Sequence, residues 1–452
     1  MEEVYYDILG KLLQEGKLMQ LRYELARINE ADVADFLQRL DDPEQVGKVF
    51  RILPKDMSAE VFSFLDSDAQ EKVVNSITDK EVGKLVDDLF TDDAVDFLEE
   101  VPANVVARVL SNASSETRKT INKFLNYPED SAGSIMTDEM ISLHDTSTVG
   151  LAIEKIRSTG KDKVTVYTAY VIDSSRHLVG SIELSDLLFS SPEKRIHDLM
   201  DDDKQLISVH TLDDQEEVAN VVKHYDLLSV PVVDKENRLV GIVTVDDVVD
   251  ILEEEATEDI EKMAAFPPSD KPYLKTGVWS TYIKRMPWLL VLMILASFTS
   301  VIINHYRSAL AICTALIAYI PLIMDIGGNA GSQSGSSVIR AISVGDVEFR
   351  DSFRVIWKEL RVAFFIGITL AGVNLIKLLF IDKIPMGVSL VISLVMVLVI
   401  LFAKLIGSLL PILANQLKLD PAIMASPLIT TIVDTVSLLI YFSISVHILH
   451  LV

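Results

Sequence analysis

The spacing of apolar positions changes character along this chain. Over residues 1–130 apolar positions recur at helical spacing in short segments of roughly ten residues, most of them opening on Asp, Ser or Thr. Thr78 and Glu81 have the spacing of a capping box, in which hydroxyl and carboxylate each satisfy a free backbone N–H; Asp66-Ser67-Asp68 and Thr91-Asp92-Asp93 read as similar starts. Short helices of this kind are expected to stack as a small solenoid, because none buries its apolar face alone. Between 131 and 255 the runs become β-branched and duplicated. Ala169-Tyr170-Val171-Ile172-Asp173 and His177-Leu178-Val179-Gly180-Ser181-Ile182 recur 61 residues later as Val230-Pro231-Val232-Val233-Asp234 and Arg238-Leu239-Val240-Gly241-Ile242-Val243. Each copy continues into a helix start, Ser185-Asp186-Leu187-Leu188 or Asp246-Asp247-Val248-Val249, and each is preceded by a Met, Met136 or Met200. The pattern predicts a tandem β-α-β-β-α repeat.

Apolar stretches then follow at 287–306, 309–339, 353–380, 385–413 and 423–449, each near the length of about 20 residues that a helix needs to cross hydrocarbon. Before them, Pro267, Pro268 and Pro272 break any continuing helix, and Trp279 and Tyr282 beside Lys275, Lys284 and Arg285 suit a membrane interface. Arg340, Arg350, Arg354, Lys358 and Arg361 lie between the second stretch and the apolar centre of the third, against Arg307 alone between the first and second. That excess places the basic loop in the cytoplasm and, with five spans, the C-terminus outside. The N-terminus has no basic region followed by an apolar stretch, so the front part is expected to stay cytoplasmic.

Charge divides along the same line. Of 41 Lys+Arg and 66 Asp+Glu, residues 276–452 hold 12 and 8, which leaves 29 and 58 for residues 1–275. The front is therefore −29 and the back +4. Such an acidic surface repels nucleic acid and attracts cations, so a nucleic-acid partner is excluded. The one cysteine, Cys313, permits no intrachain disulfide, as befits a reducing compartment.

Two apolar stretches carry chemistry. The second contains Pro321-Leu322-Ile323-Met324-Asp325-Ile326-Gly327-Gly328-Asn329-Ala330-Gly331-Ser332-Gln333-Ser334-Gly335, with Asp325 and Asn329 one turn apart. In the fifth, Pro427, Thr430, Thr431, Asp434 and Tyr441 fall on one helical face. The glycines read first as a helix-packing stripe. Asp434 does not: an intramembrane carboxylate marks an ion pathway by default. Lys404 reads as a snorkelling side chain near the cytoplasmic end of the fourth stretch. No nucleophile–base constellation, phosphate-binding Gly-rich loop or zinc ligand set is present, so the chain does not read as an enzyme.

The duplicated segment resembles a pair of CBS modules. Pro321 to Gln333, with Asp420-Pro421-Ala422 through Asp434, resembles the MgtE family of magnesium channels, and the order of segments matches that family over essentially the whole chain. The resemblance implies a multidomain fold: an all-α helical superhelix N-domain (1–130), an α/β tandem CBS pair (131–195 and 196–255), a connecting helix segment (256–286) and a transmembrane domain of five helices (287–452). It implies a homodimer in the lipid bilayer, with the pore on the two-fold axis and Asp434, Asn329 and Ser426 facing it. It also implies cytoplasmic Mg²⁺ sensing by Asp92, Asp96, Asp214, Glu216, Asp226, Asp247, Asp250, Glu255, Glu258 and Asp259. Without cation these carboxylates repel; with cation they are bridged and the connecting helices close the pore. CBS pairs also often bind adenosine nucleotides, and Thr244 and Asp247 supply a Thr-x-x-Asp pattern for ATP.

Residue chemistry by itself supports a pathway for a hard cation, since soft-metal transport would call for Cys, Met or His ligands. Transport of Co²⁺ or Mn²⁺, exchange against another ion, and a membrane-anchored CBS receptor that transports nothing stay open at this level. The resemblance is what names magnesium.

Overall fold

Several of the N-terminal helices begin where a short polar side chain satisfies a free N–H of the first turn. In the computed structural model, which describes residues 3–55, 57–200, 206–267, 273–274, 276–424 and 426–451, the chain divides into two compact units, Met1–Glu253 and Glu254–Val452. Pro268, Pro272 and Lys275 lie outside the described residues.

The first unit opens with helices α1 (Glu3–Gln14), α2 (Leu18–Leu25), α3 (Glu30–Gln38), α4 (Pro43–Ile52), α5 (Ser58–Ser63), α6 (Ser67–Ser76), α7 (Asp79–Asp88), α8 (Thr91–Glu100), α9 (Ala103–Asn112) and α10 (Ser115–Phe124). Asp66 caps α6 by accepting from the Ala69 N–H, and Thr78 and Glu81 form the expected capping box on α7. Thr91 departs from expectation. It is the first residue of α8 rather than its cap, because its hydroxyl is turned to Glu139 (2.9 Å) and Asp138 (3.1 Å) ahead of the first strand. Helices α1 and α2 pack on each other, and from α3 on each helix packs mainly on the next but one, α4 on α2 and α6, α7 on α5 and α9, α8 on α6 and α10.

The duplicated segment folds as the spacing predicts. Strands β1 (Ser142–His144), β2 (Thr168–Ile172) and β3 (Leu178–Glu183) surround α11 (Val149–Thr159) and lead into α12 (Leu184–Leu188). Strands β4 (Val209–His210), β5 (Ser229–Val233) and β6 (Leu239–Thr244) do the same with α13 (Gln215–Tyr225) and α14 (Val245–Met263). In both sheets the first pair is parallel and the second antiparallel. The two leading methionines are exchanged. Met136 precedes the first copy but packs on Gly241 of the second, where Thr137 trades backbone hydrogen bonds with Ile242 (2.8 and 2.9 Å). Met200 precedes the second copy and packs on Gly180 of the first. A Cβ on either glycine would stand within 2.7 Å of sulfur, and on Gly241 also 2.8 Å from the Thr137 carbonyl oxygen, so the methionines seat against bare backbone. Tyr170, Ile172, Leu239 and Ile242 join the two sheets. A further core runs from the N-terminal helices through Ala132 and Met136 to Val218, Val230 and Val243.

The second unit contains α15 (Val278–His305), α16 (Arg307–Ile312), α17 (Ala315–Ala318), α18 (Ile320–Ser343), α19 (Ser352–Phe380), α20 (Met386–Gln416) and α21 (Ser426–Leu449). Helices α15, α19, α20 and α21 are long and apolar enough to cross a membrane. Helix α18 has 24 residues, but its polar and glycine content sets it apart from them. The expected apolar stretch from 309 is divided: the chain turns at Cys313 and Tyr319, and Pro321 occupies the first turn of α18, where its missing N–H leaves no bond unmade. Helix α20 packs on α18, α19 and α21, and α18 also packs on α21. The glycines of α18 stay helical and allow close approach, as the packing reading anticipates. A Cβ on Gly407 of α20 would lie 2.1 Å from the Gly331 carbonyl oxygen, so the two backbones touch. None of the residues of α15 is buried, although the helix packs on α21.

Gly407→Ala should therefore destabilise the bundle by roughly 1–3 kcal/mol, the range for overpacking a tight contact. Gly372→Ala, where an added Cβ meets nothing within 4 Å, should be neutral or slightly stabilising. Thermal unfolding in detergent checks both, and equal effects would remove the crossing from this account.

Candidate functional site

Helix α21 starts at Ser426, just past a 3₁₀ turn, Pro421–Met424, whose Ala422 N–H is held by Asp420 (2.8 Å). Thr430 and Thr431 return their hydroxyls to the carbonyls of Ser426 (2.7 Å) and Pro427 (2.8 Å). Ser332 of α18 meets the Thr430 hydroxyl at 3.0 Å. Gly328 brings α18 against α21 so closely that a Cβ there would stand 2.8 Å from Thr430 Cγ2 and 3.5 Å from Asp434 Oδ1. Asp434 is half-buried, and its Oδ1 is buried with no hydrogen-bond partner among the described residues. Asp325 is the charged neighbour that acts on it.

Asp325, Asn329 and Gln333, at successive turns of α18, form a polar stripe left exposed in the single chain. Ser426 is half-buried at the head of α21. The structure thus gathers Asp434, Thr430, Ser332 and Gly328 where α18 meets α21. It removes Tyr441 from that set: Tyr441 is fully buried and donates to the Leu316 carbonyl (2.9 Å), as a packing residue does. It also corrects Lys404. That residue lies 12 positions before the end of α20, about 18 Å of helix, too far for its ammonium to reach the end. It is buried and pairs with Glu359 of α19 at 3.1 Å.

In the first unit, α8 presents Asp92 and Asp96 to α14, which carries Asp247 and Asp250. Burial, then Asp93, Asp247 and Glu139, hold the Asp92 carboxyl well above its usual range. Burial and then Asp247, Asp96 and Glu139 push Asp93 up to about 7. Asp96 reaches solvent at the rim of the group. The surrounding protein, with Glu100, Asp247 and Asp250, pushes it up to about 6. Burial takes Asp247 to about 6 against the lowering effect of its Thr244 hydrogen bond. Sequence reasoning missed Glu139 and the weight of Asp93, because only the fold brings the segment before β1 to α8. Thr244, the nucleotide candidate, is buried, and its hydroxyl already donates to Asp247 (2.6 Å).

Other candidates stay apart. Asp214 caps α13 through the Glu216 N–H (2.9 Å), whereas Asp226 is its left-handed C-terminal residue. These are opposite ends of one helix about 16 Å long, so Asp214 and Glu216 do not meet Asp226 within a chain. In the second unit, Glu258 and Asp420 both hold Lys262 at 2.7 Å, and Asp259 accepts from Ser343 (3.3 Å). Burial and Asp420 raise the Asp259 carboxyl. Glu255 lies on the same helix, α14. Among the described residues no three His, Cys, Asp or Glu side chains are set to hold one metal ion directly. The acidic group fits a hard cation that keeps part of its water shell and takes one or two carboxylates at a time.

Comparison with known proteins matches these segments in order. Residues 320–444 match the MgtE divalent cation transporter family, 28–130 the MgtE intracellular N domain, and 132–193 and 196–254 the CBS domain. The chain is 35% identical over 448 residues to the magnesium transporter MgtE of Thermus thermophilus, covering 98% of each, and 32% identical over 441 residues to that of Bacillus subtilis, covering 97% of this chain and 96% of the relative. A crystal structure of the soluble part of a magnesium transporter superposes with a TM-score of 0.52 at 31% identity, covering 56% of this chain and 99% of that one. The cytosolic domain of the Mg²⁺ channel MgtE in complex with ATP gives 0.51 at 34% identity, covering 54% and 98%.

The raised carboxyls make a pH prediction. A carboxyl raised in the assembled unit binds more protons there than when α8 and α14 separate. Assembly is thus favoured at low pH and loses that advantage as pH climbs from the ordinary value near 4 through about 7. In chelator, the protection of amides in α8 and α14, taken relative to the intrinsic exchange rate at each pH, should be lower at pH 8 than at pH 5.5, and millimolar Mg²⁺ should flatten the difference. A flat profile in chelator would contradict the repulsion.

Proposed function

We propose that this chain, which belongs to the MgtE family of divalent cation transporters, is a homodimeric Mg²⁺ channel that admits Mg²⁺ across the plasma (inner) membrane and is closed by Mg²⁺ on its cytoplasmic side. The observation that carries it is Asp434: a carboxylate in an apolar bundle with one oxygen buried and unpartnered, beside the open stripe Asp325, Asn329 and Gln333. Water-filled space or a second subunit must meet such a stripe.

In this reading residues 1–130 form a superhelical N-domain, 131–195 and 196–255 the CBS pair, 256–286 the connecting segment and 287–452 the membrane domain. Helix α18 is its second span and, with α15, α19, α20 and α21, makes five. The N-terminal unit is cytoplasmic and the C-terminus outside, as the basic loop argues. Two α18–α21 pairs face each other across the two-fold axis, and Asp434, Asn329 and Ser426 meet the ion through its hydration shell. Mg²⁺ suits this donor set because it sheds water reluctantly and prefers oxygen. A membrane potential drives a divalent ion inward with about 4.6 kcal/mol per 100 mV. Closure follows from repulsion between α8 and α14: Asp92, Asp96, Asp247 and Asp250 are crowded without a cation and bridged with one, so cation shifts the population toward the compact form. Glu255, Glu258 and Asp259 on the connecting helix, and Asp214, Glu216 and Asp226 on α13, extend the sensor. ATP binding at the CBS pair belongs to this reading, supported by the similar cytosolic domain that is in complex with ATP; contact through Thr244 requires its bond to Asp247 to open.

Asp434→Ala should abolish Mg²⁺ flux into proteoliposomes while the protein stays folded and dimeric; normal flux in that variant would sink the pore assignment. Protease cleavage of the N-terminal unit in the full-length protein should slow at millimolar Mg²⁺ relative to chelator, and an unchanged rate would remove the support for sensing.

A further inference from the structure

Lys404 of α20 and Glu359 of α19, the one buried ion pair between spans among the described residues, have no part in the pathway described above. Its side chains are 5% and 14% exposed, and the same Glu359 oxygen that meets the ammonium at 3.1 Å accepts from Ser334 of α18 at 2.8 Å. One carboxylate oxygen thus ties three helices. Ser334 lies less than a turn from Gly331, where α18 and α20 touch backbone to backbone. Contact between glycines allows approach but has no side-chain knob to stop one helix sliding along the other. The directional bonds to Glu359 supply that stop. The register of α18 in turn sets where Gly328 meets Asp434 and Thr430, and where Asn329 stands one residue on.

Charge makes the second half of the case. A lone ammonium inside the bundle would act on a divalent ion in the same low-dielectric region, and Glu359 is the carboxylate that cancels it. We infer that Glu359 is a positioning residue for conduction: through Ser334 it fixes the register of the pore helix α18, and through Lys404 it keeps the back of that helix electrically neutral. This rests on the pore reading.

The test uses full-length protein in proteoliposomes, with Mg²⁺ flux normalised to folded molecules. Glu359→Gln keeps an acceptor for Ser334 and removes the charge, leaving Lys404 uncompensated. Half-saturating Mg²⁺ should rise roughly ten-fold or more. Adding Lys404→Met should restore it to within about three-fold, because both charges are then gone. A merely structural role would change the amount of folded protein and leave half-saturation alone. Half-saturation within two-fold of the parent in folded Glu359→Gln, or no recovery in a folded double variant, overturns the inference. If Glu359→Gln does not fold, Ser334→Ala is read instead. It spares the ion pair and should lower maximal flux, so parent-like flux there is equally fatal. Asp434→Asn is measured alongside. If it conducts, the pore reading has failed; if it is dead while Glu359→Gln behaves as the parent, only this inference has.

Discussion

Hydrocarbon offers no hydrogen bonds, so each polar atom that enters the bundle has to find its partner in protein, in trapped water or in an ion. Most of the second unit obeys this visibly. Thr430, Thr431 and Thr435 return their hydroxyls to carbonyls one turn back, Ser408 does the same to Lys404, and Tyr441 reaches across to Leu316. Lys404, Glu359 and Ser334 satisfy one another. Asp434 Oδ1 breaks the rule together with a few neutral groups such as Asn374 Nδ2 and Ser393 Oγ. An unmade bond on a neutral amide or hydroxyl carries a moderate penalty, but a carboxylate carries a charge as well, and a cation is the partner that answers both needs.

The first unit holds the complementary imbalance. Here carboxylates have too much of one kind of neighbour: Asp92, Asp93 and Asp96 face Asp247 and Asp250 across two helices. Protons and divalent cations relieve the same crowding, which is why the raised carboxyls support the sensing role proposed for these helices. In that proposal the repulsion also sets the reference state: a site strained when empty has less hold on its own closed form, so a bound cation would decide whether the two helices stay together.

Much of this was legible in the sequence, and what was not has physical reasons. The duplicated β-branched runs located the last two strands of each copy to within a residue, since such runs and the glycines at 180 and 241 are local signals. The capping box at Thr78 was legible for the same reason. The start of α8 at Thr91 was legible, but not that Thr91 leaves it uncapped: its partners, Asp138 and Glu139, are more than forty residues away, and only tertiary contact turns its hydroxyl outward. Lys404 was misread because hydropathy locates a charge along a helix but not which neighbour it meets; Glu359 sits in a stretch that composition assigns to the basic cytoplasmic loop. The break between 312 and 320 was lost inside a continuous apolar run, where apolarity says nothing of backbone direction. The exchange of Met136 and Met200 between repeats was likewise invisible, because each methionine stands in sequence beside the copy it does not pack against.

In the proposed homodimeric channel, the distribution of sensing charge follows from what its gate would have to do. An ion that is both cargo and closing signal has to leave the cytoplasmic sites when its concentration falls, so no single site can hold it tightly. Yet moving a two-state equilibrium from mostly open to mostly closed takes about 5.5 kcal/mol of preference for the closed state. One hydrated ion on one or two exposed carboxylates supplies far less than that, because solvent and salt screen it. Many weak bridges do supply it, each reversible alone and steep together, and their number multiplies when two chains share one gate. The acidic excess of the front part is then a requirement of that steepness. A −29 surface with crowded carboxyls on α8 and α14 is what a fold needs if weak binding of a common ion is to decide the state of a pore.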